Sequence, residues 1–129
     1  MPLRIVVVDD DKATATYLGD SLRLLGHQVI VTLGPRGALT QLSRLIPDMV
    51  FLDMNMPGVD GLEICRYLRR DPRTARVPVV IVSANEQQAD KEAARKAGAN
   101  YFIVKPAMIE DLEKAIGYLS PITARSHPL

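Results

Sequence analysis

The chain has one cysteine, Cys65, so no disulfide can form within it. That fits a reducing compartment, and the fold must rest on its apolar core alone. Cys65 shares a helical apolar pattern with Leu62 and Leu68, which makes it a core thiol, and no neighbour in sequence would lower its pKa. Charge of one sign is missing too. Sixteen Lys and Arg against fifteen Asp and Glu leave a net +1, which gives no reason to expect direct contact with nucleic acid or an anionic membrane. Any charge that matters must therefore be local. No apolar run is long enough to cross a bilayer. Ile5–Val8 is too short for a signal-peptide core, and three aspartates follow it at once. The chain therefore reads as cytoplasmic. It contains no internal repeat and no low-complexity stretch.

What is present is a strict alternation of two periods. Leu3–Val8, Val29–Leu33, Met49–Leu52, Val79–Val82 and Tyr101–Val104 are short apolar runs rich in Val and Ile. Such nearly unbroken runs suit strands buried on both faces of a parallel sheet. Between them lie helical stripes: Ala15, Leu18, Leu22 and Leu25; Ala38, Leu42 and Leu45; Leu62, Cys65 and Leu68; and finally Ile109, Leu112, Ile116 and Leu119. A further helix, Glu86–Ala97, has a stripe of only Ala89, Ala93 and Ala97, so little apolar area would hold it down. Gly26 and Gly98 are suited to stop helices. Pro47, Pro72 and Pro78 stand before strands or at turns. The chain of 129 residues suits one domain, spanning residues 1–119. Ser120–Leu129, with two prolines and no periodicity, reads as a flexible tail or the start of a linker. Five strands alternating with five helices give a doubly wound (βα)5 α/β fold, whose functional site lies beyond the carboxyl ends of the strands.

Four of those ends carry polar groups. Asp9, Asp10 and Asp11 follow the first strand, Asp53 the third, Ser83 the fourth and Lys105 the fifth. Clustered carboxylates repel one another, and a hard divalent cation relieves that repulsion. Mg²⁺ suits one or two carboxylates together with a phosphoryl oxygen. A carboxylate can attack phosphorus, and a lysine and a serine hydroxyl can stabilise the transferred group. Plain structural readings stand beside these. Asp11 is placed to cap the following helix, and capping would serve for Asp9 and Asp10 as well. Ser83 could be a cap or loop residue, Lys105 a solvated lysine and Asp53 a turn residue. Their shared place on one sheet edge favours the joint reading.

Four segments carry a family resemblance, which covers about Leu3 to Leu119. They are Val6-Val7-Val8-Asp9-Asp10-Asp11, the run from Pro47 to Gly61 around Asp53, Val82-Ser83-Ala84, and the run from Ala97 to Pro106 around Lys105. In this order and spacing the chain resembles the receiver domains of bacterial two-component signalling, of the chemotaxis-regulator type. The resemblance implies a flavodoxin-like sheet of strand order 2-1-3-4-5. It also implies a switch rather than an enzyme. Asp53 would be the phosphoacceptor, with a histidine kinase or histidine phosphotransfer protein as donor. Asp9, Asp10, Asp53 and the backbone carbonyl of Asn55 would hold Mg²⁺, with Asp9 acting partly through water. Ser83 and Lys105 would contact the phosphoryl group, and the Lys105–Pro106 peptide would be cis. Phe102, three residues before Lys105, stands at the switch aromatic, where it lacks the hydroxyl of a tyrosine. The readout would use the surface of the fourth helix, fifth strand and fifth helix, toward a second copy, another protein or an output domain.

Two other classes can be weighed. A Mg²⁺-dependent phosphatase with an aspartate nucleophile, of the haloacid-dehalogenase type, begins its site with Asp-x-Asp-x-Thr or Val. Here Ala13 takes the last place, and the chain is short for that fold and lacks a cap. An interaction module that never takes phosphate would not need the intact acidic set. His27 and His127 read as solvated.

Overall fold

The computed structural model describes residues 2–124. β1 (Arg4–Val8) leads to α1 (Lys12–Leu24), β2 (Gln28–Thr32) to α2 (Pro35–Leu42) and β3 (Met49–Asp53) to α3 (Gly61–Arg70). β4 (Val79–Ser83) leads to α4 (Gln88–Ala97), and β5 (Tyr101–Val104) to α5 (Ile109–Ala124). The strands form one parallel sheet in the order β2-β1-β3-β4-β5, as expected.

The unbroken apolar runs follow from helices on both faces. Val6, Val8, Val50, Leu52, Val79 and Ile81 face the side of α2, α3 and α4, where they meet Leu42, Leu62, Cys65 and Leu68. Their alternate neighbours Ile5, Val7, Met49, Phe51, Val80 and Val82 meet Leu18 and Leu22 of α1 and Leu112, Ala115 and Leu119 of α5. In β3 and β4 every residue is buried, so no polar residue is tolerated there until the strand's last position. That is where Asp53 and Ser83 stand. Cys65 is buried, as expected, and its thiol donates to the carbonyl of Ala97 at 3.3 Å.

Several expectations need correction. α4 begins at Gln88 rather than Glu86, and its buried residues are Ala94 and Ala97. Ala93 is half-buried and Ala89 is exposed. Gln87 to Lys91 offers no large apolar side chain and no side-chain cap, so only the carboxyl half of the helix packs down. In α5, Ile109 is exposed and Ala115 joins the buried face in its place. α5 also continues to Ala124, so residues 120–124 are helix rather than tail. A helix already wound over three turns tolerates the one hydrogen bond lost at Pro121. The rest of the expected tail, residues 125–129, lies outside the described residues.

His27 is half-buried rather than solvated, and its Nδ1 accepts the backbone N–H of Leu3 at 3.0 Å. Burial holds its pKa below the ordinary imidazole value. The unfolded chain therefore takes up its proton first as pH falls. Its contribution is fully present above the unfolded pKa of about 6.5 and is lost as pH drops through the lowered folded value. Urea unfolding at pH 7.5 and 5.5 should show wild type losing more stability between the two than His27→Gln does. Equal losses would show that this bond does not titrate.

Candidate functional site

At the carboxyl edge of the sheet the strands deliver their polar ends to one place. Asp9 follows β1 and is fully buried, and its N–H donates to the Thr32 carbonyl at 3.2 Å. Its Oδ1 accepts the N–H of Asp11 at 2.9 Å. Asp11 turns away and caps α1, accepting the N–H of Thr14 at 3.0 Å, so the capping reading holds for that aspartate. Asp10 is exposed beside them. Asp53 ends β3 and is 6% exposed.

Lys105 reaches across from the end of β5. Its Nζ lies 3.1 Å from Asp53 Oδ1 and 3.3 Å from Asp9 Oδ2. Its backbone N–H donates to the Ser83 carbonyl at 2.8 Å, and the Lys105–Pro106 peptide is cis. Ser83 is fully buried at the end of β4, and its Oγ accepts the N–H of Asn85 at 3.1 Å. Asn55 lies exposed in the loop two residues beyond Asp53. Phe102 is half-buried and packs against the core on the α4 side. It borders a groove of about 190 Å³ between α4 and β5, with Lys91, Arg95 and Tyr101. A second groove of about 410 Å³ opens beside Lys105, lined by Ala13, Thr14, Tyr17 and Pro106 among others.

The electrostatics follow from this crowding. Burial, then the charge of Asp9, pushes the Asp53 carboxyl above the ordinary carboxylate range, against the pull of Lys105. For Lys105, burial works against the charge, but the hydrogen bonds and charges of Asp53 and Asp9 together outweigh it and raise its pKa. Asp9, Asp10 and Asp53 each bring one carboxylate oxygen within 4.8 Å of the others. With Lys105 the four groups sum formally to −2, the charge a divalent cation would balance. Opposite ligands of an Mg²⁺ octahedron lie about 4.2 Å apart, so this all-oxygen set fits the ion after a small inward turn.

The loop from Asp53 to α3 is held by a contact the sequence did not announce. Gly61 donates its N–H to the Met54 carbonyl at 3.1 Å, and an added Cβ would fall 2.2 Å from the Asp53 carbonyl oxygen. The only advance signal was a glycine beside the α3 cap, Asp60, whose side chain accepts the N–H of Glu63 at 2.9 Å. Arg69 was also missed. It is one of five arginines between positions 66 and 76, and nothing in sequence marks it off from the other four. Its guanidinium donates to the carbonyls of Gly98 and Val77 and to the Asn100 side chain, at 2.8 to 3.0 Å.

Residues 5–117 match the response regulator receiver domain. The chain belongs to that family. This receiver domain is 38% identical over 112 residues to the response regulator MprA of Mycolicibacterium vanbaalenii, covering 87% of this chain and 48% of that protein. It is 37% identical over 106 residues to the response regulator PleD of Caulobacter vibrioides, covering 82% of this chain and 23% of that protein. The chain thus spans about a quarter of one of these curated relatives and about half of the other. Among solved structures it is similar to the receiver domain of a sensor histidine kinase from Pseudomonas aeruginosa PAO1, solved with a magnesium ion coordinated in the active-site cleft. There the TM-score is 0.83 at 26% identity, over 93% of this chain and 99% of that one. Response regulators of two-component systems are signalling proteins. No helix among the described residues is long and apolar enough to cross a membrane.

Proposed function

We propose that this receiver domain is a phosphorylation switch that accepts a phosphoryl group on Asp53. The observation that carries the reading is the bridge from Lys105 Nζ to Asp53 and Asp9 inside the carboxylate cluster. A lysine held by two acidic side chains at the same strand edge is placed to meet a third anion, the phosphoryl group.

An Asp53 carboxylate oxygen attacks phosphorus, the bond from phosphorus to the donor's nitrogen or oxygen breaks, and the leaving group keeps that electron pair. Lys105 offers its ammonium to the phosphoryl oxygens. The Ser83 hydroxyl, whose oxygen already accepts from Asn85, still has its own proton to donate. Asp9, Asp10 and Asp53, with the backbone carbonyl of Asn55, would hold Mg²⁺, which when bound neutralises charge on the phosphoryl oxygens. The burial of Asp9 and Asp53 limits water at the acceptor. The donor is a histidine kinase or histidine phosphotransfer protein. The modified state is read on the α4-β5-α5 surface by a partner or output domain, with Ser83 and Phe102 carrying the change. The domain itself is a signalling part rather than an enzyme, and it works in the cytoplasm.

The test is incubation with a small acyl phosphate and Mg²⁺ followed by intact-mass measurement. Wild type should gain one phosphoryl group that hydroxylamine removes, and Asp53→Asn should gain none. Equal labelling of the variant would refute the assignment.

A further inference from the structure

We propose that α4 is a lever pinned at its carboxyl end, with Arg69 as the positioning residue that fixes the pivot. This rests on the reading of Asp53 as phosphoacceptor and deepens it by stating how α4 moves.

The two ends of α4 are held in unlike ways. At the carboxyl end, Ala94 and Ala97 are buried, and the Cys65 thiol donates to the Ala97 carbonyl at 3.3 Å. Gly98 closes the helix in the left-handed conformation, φ 104°. Its N–H bonds the Arg95 carbonyl, and the next N–H, of Ala99, bonds the Ala94 carbonyl. Arg69 of α3 then fastens this turn from outside. Its Nε and Nη2 both donate to the Gly98 carbonyl, at 3.0 and 2.8 Å, and Nη1 donates to the Val77 carbonyl at 2.8 Å. Nη2 also donates to Asn100 Oδ1, which accepts the N–H of Val79 as well, each at 2.8 Å. One planar cation thereby ties the end of α4 to the starts of β4 and β5. A rigid fork of donors fixes direction as well as distance.

At the amino end nothing comparable exists. Gln87 supplies no side-chain cap, and Ala84 to Ala89 are all exposed. The one side-chain tie in this stretch is the N–H of Asn85 on Ser83 Oγ. That tie leads straight to the site. If the Ser83 hydroxyl reorients toward a phosphoryl oxygen, the acceptor of Asn85 moves and the loop to Gln88 follows. With the far end fixed, the displacement appears as a tilt, largest at Gln88 and vanishing near Gly98. Helix shifts in switches run to about 1–2 Å, and a ten-residue helix is about 15 Å long. A tilt of this size leaves the buried alanines in place.

Two measurements test the pivot. Amide exchange in the unmodified protein should show Arg69→Met lowering protection of Ala94 to Asn100 about tenfold or more, with β1 and β3 unchanged. Gly98→Ala should act in the same direction, since its Cβ would fall 2.8 Å from Arg69 Cγ. Unchanged exchange in both variants would overturn the anchor. Nitroxide pairs at Asp20 and Gln88, and at Asp20 and Lys96, then read the motion by electron–electron resonance. Cys65 is buried and spared by the label, which the mass of the unsubstituted protein verifies. On adding Mg²⁺ and beryllofluoride, the Asp20–Gln88 distance should shift by about 2 Å and Asp20–Lys96 should not. In Arg69→Met both should shift. Equal shifts in wild type, or none with beryllofluoride bound by fluorine NMR, would overturn the lever. Failure of beryllofluoride to bind would overturn the phosphoacceptor reading instead, and the exchange result would still decide the anchor.

Discussion

Gly61→Ala should lower stability by about 3 kcal/mol, the upper end of what overpacking costs. It should also slow acyl-phosphate labelling of Asp53. The added Cβ would lie 2.2 Å from the Asp53 carbonyl oxygen, 3.0 Å from its carbonyl carbon and 3.3 Å from Met54 Cα. All three are backbone atoms, so no side-chain rotation relieves the contact. Either α3 backs away, losing contact at Leu62 and Cys65, or the end of β3 is pushed and takes the Asp53 carboxylate with it. For a domain of this size the melting temperature should fall by roughly 10 °C. Gly117→Ala is the matched control. Gly117 lies in α5, and a Cβ added there would meet nothing within 4 Å, so alanine should stabilise by up to about 1 kcal/mol. A Gly61→Ala protein that melts and labels like wild type would show that this approach does not constrain the end of β3.

Mg²⁺ should stabilise the wild-type domain by about 2.7 kcal/mol at a hundred times its Kd, by ligand linkage alone. The metal-free state should gain from losing a carboxylate. Asp9, Asp10 and Asp53 converge within 4.8 Å, and one lysine offsets only part of their repulsion. Asp10 is the exposed member, so Asp10→Ala removes charge without opening a cavity. Melts in chelator should find this variant as stable as wild type or more so, and melts in Mg²⁺ should find most of the metal response gone. A strongly destabilised variant with an undiminished Mg²⁺ response would mean that Asp10 supports the fold and does not hold the ion.

The strands and the clustering of Asp9, Asp53, Ser83 and Lys105 could be anticipated because each depends on a regular signal, whereas the strand order was legible only through the family resemblance. A β-branched run buried on two faces has few other places to go, and polar residues that end such runs share an edge in any parallel sheet. What escaped depended on single contacts. His27 stands after a helix stop like any surface residue, and only the approach of the Leu3 N–H makes it an acceptor. The alanines of α4 carry too little surface for their spacing to say which face is down, so the expected stripe slipped from Ala93 to Ala94. Pro121 argued for an end to α5 that the helix passes. Arg69 and Gly61 act through backbone carbonyls dozens of residues away or across a loop, and no periodic pattern reports that.

Lys105 and Asp9 stand 96 positions apart and meet only when the first and last strands occupy the same sheet. The full set of charged groups at the site therefore exists only once the whole sheet has formed. A chain interrupted before β5 still carries Asp53 but lacks the ammonium beside it, and a chain with β1 out of register lacks the buried carboxylate. On the proposed reading of Asp53 as phosphoacceptor, such incomplete copies should take up less phosphate than chains whose sheet has closed from β1 to β5.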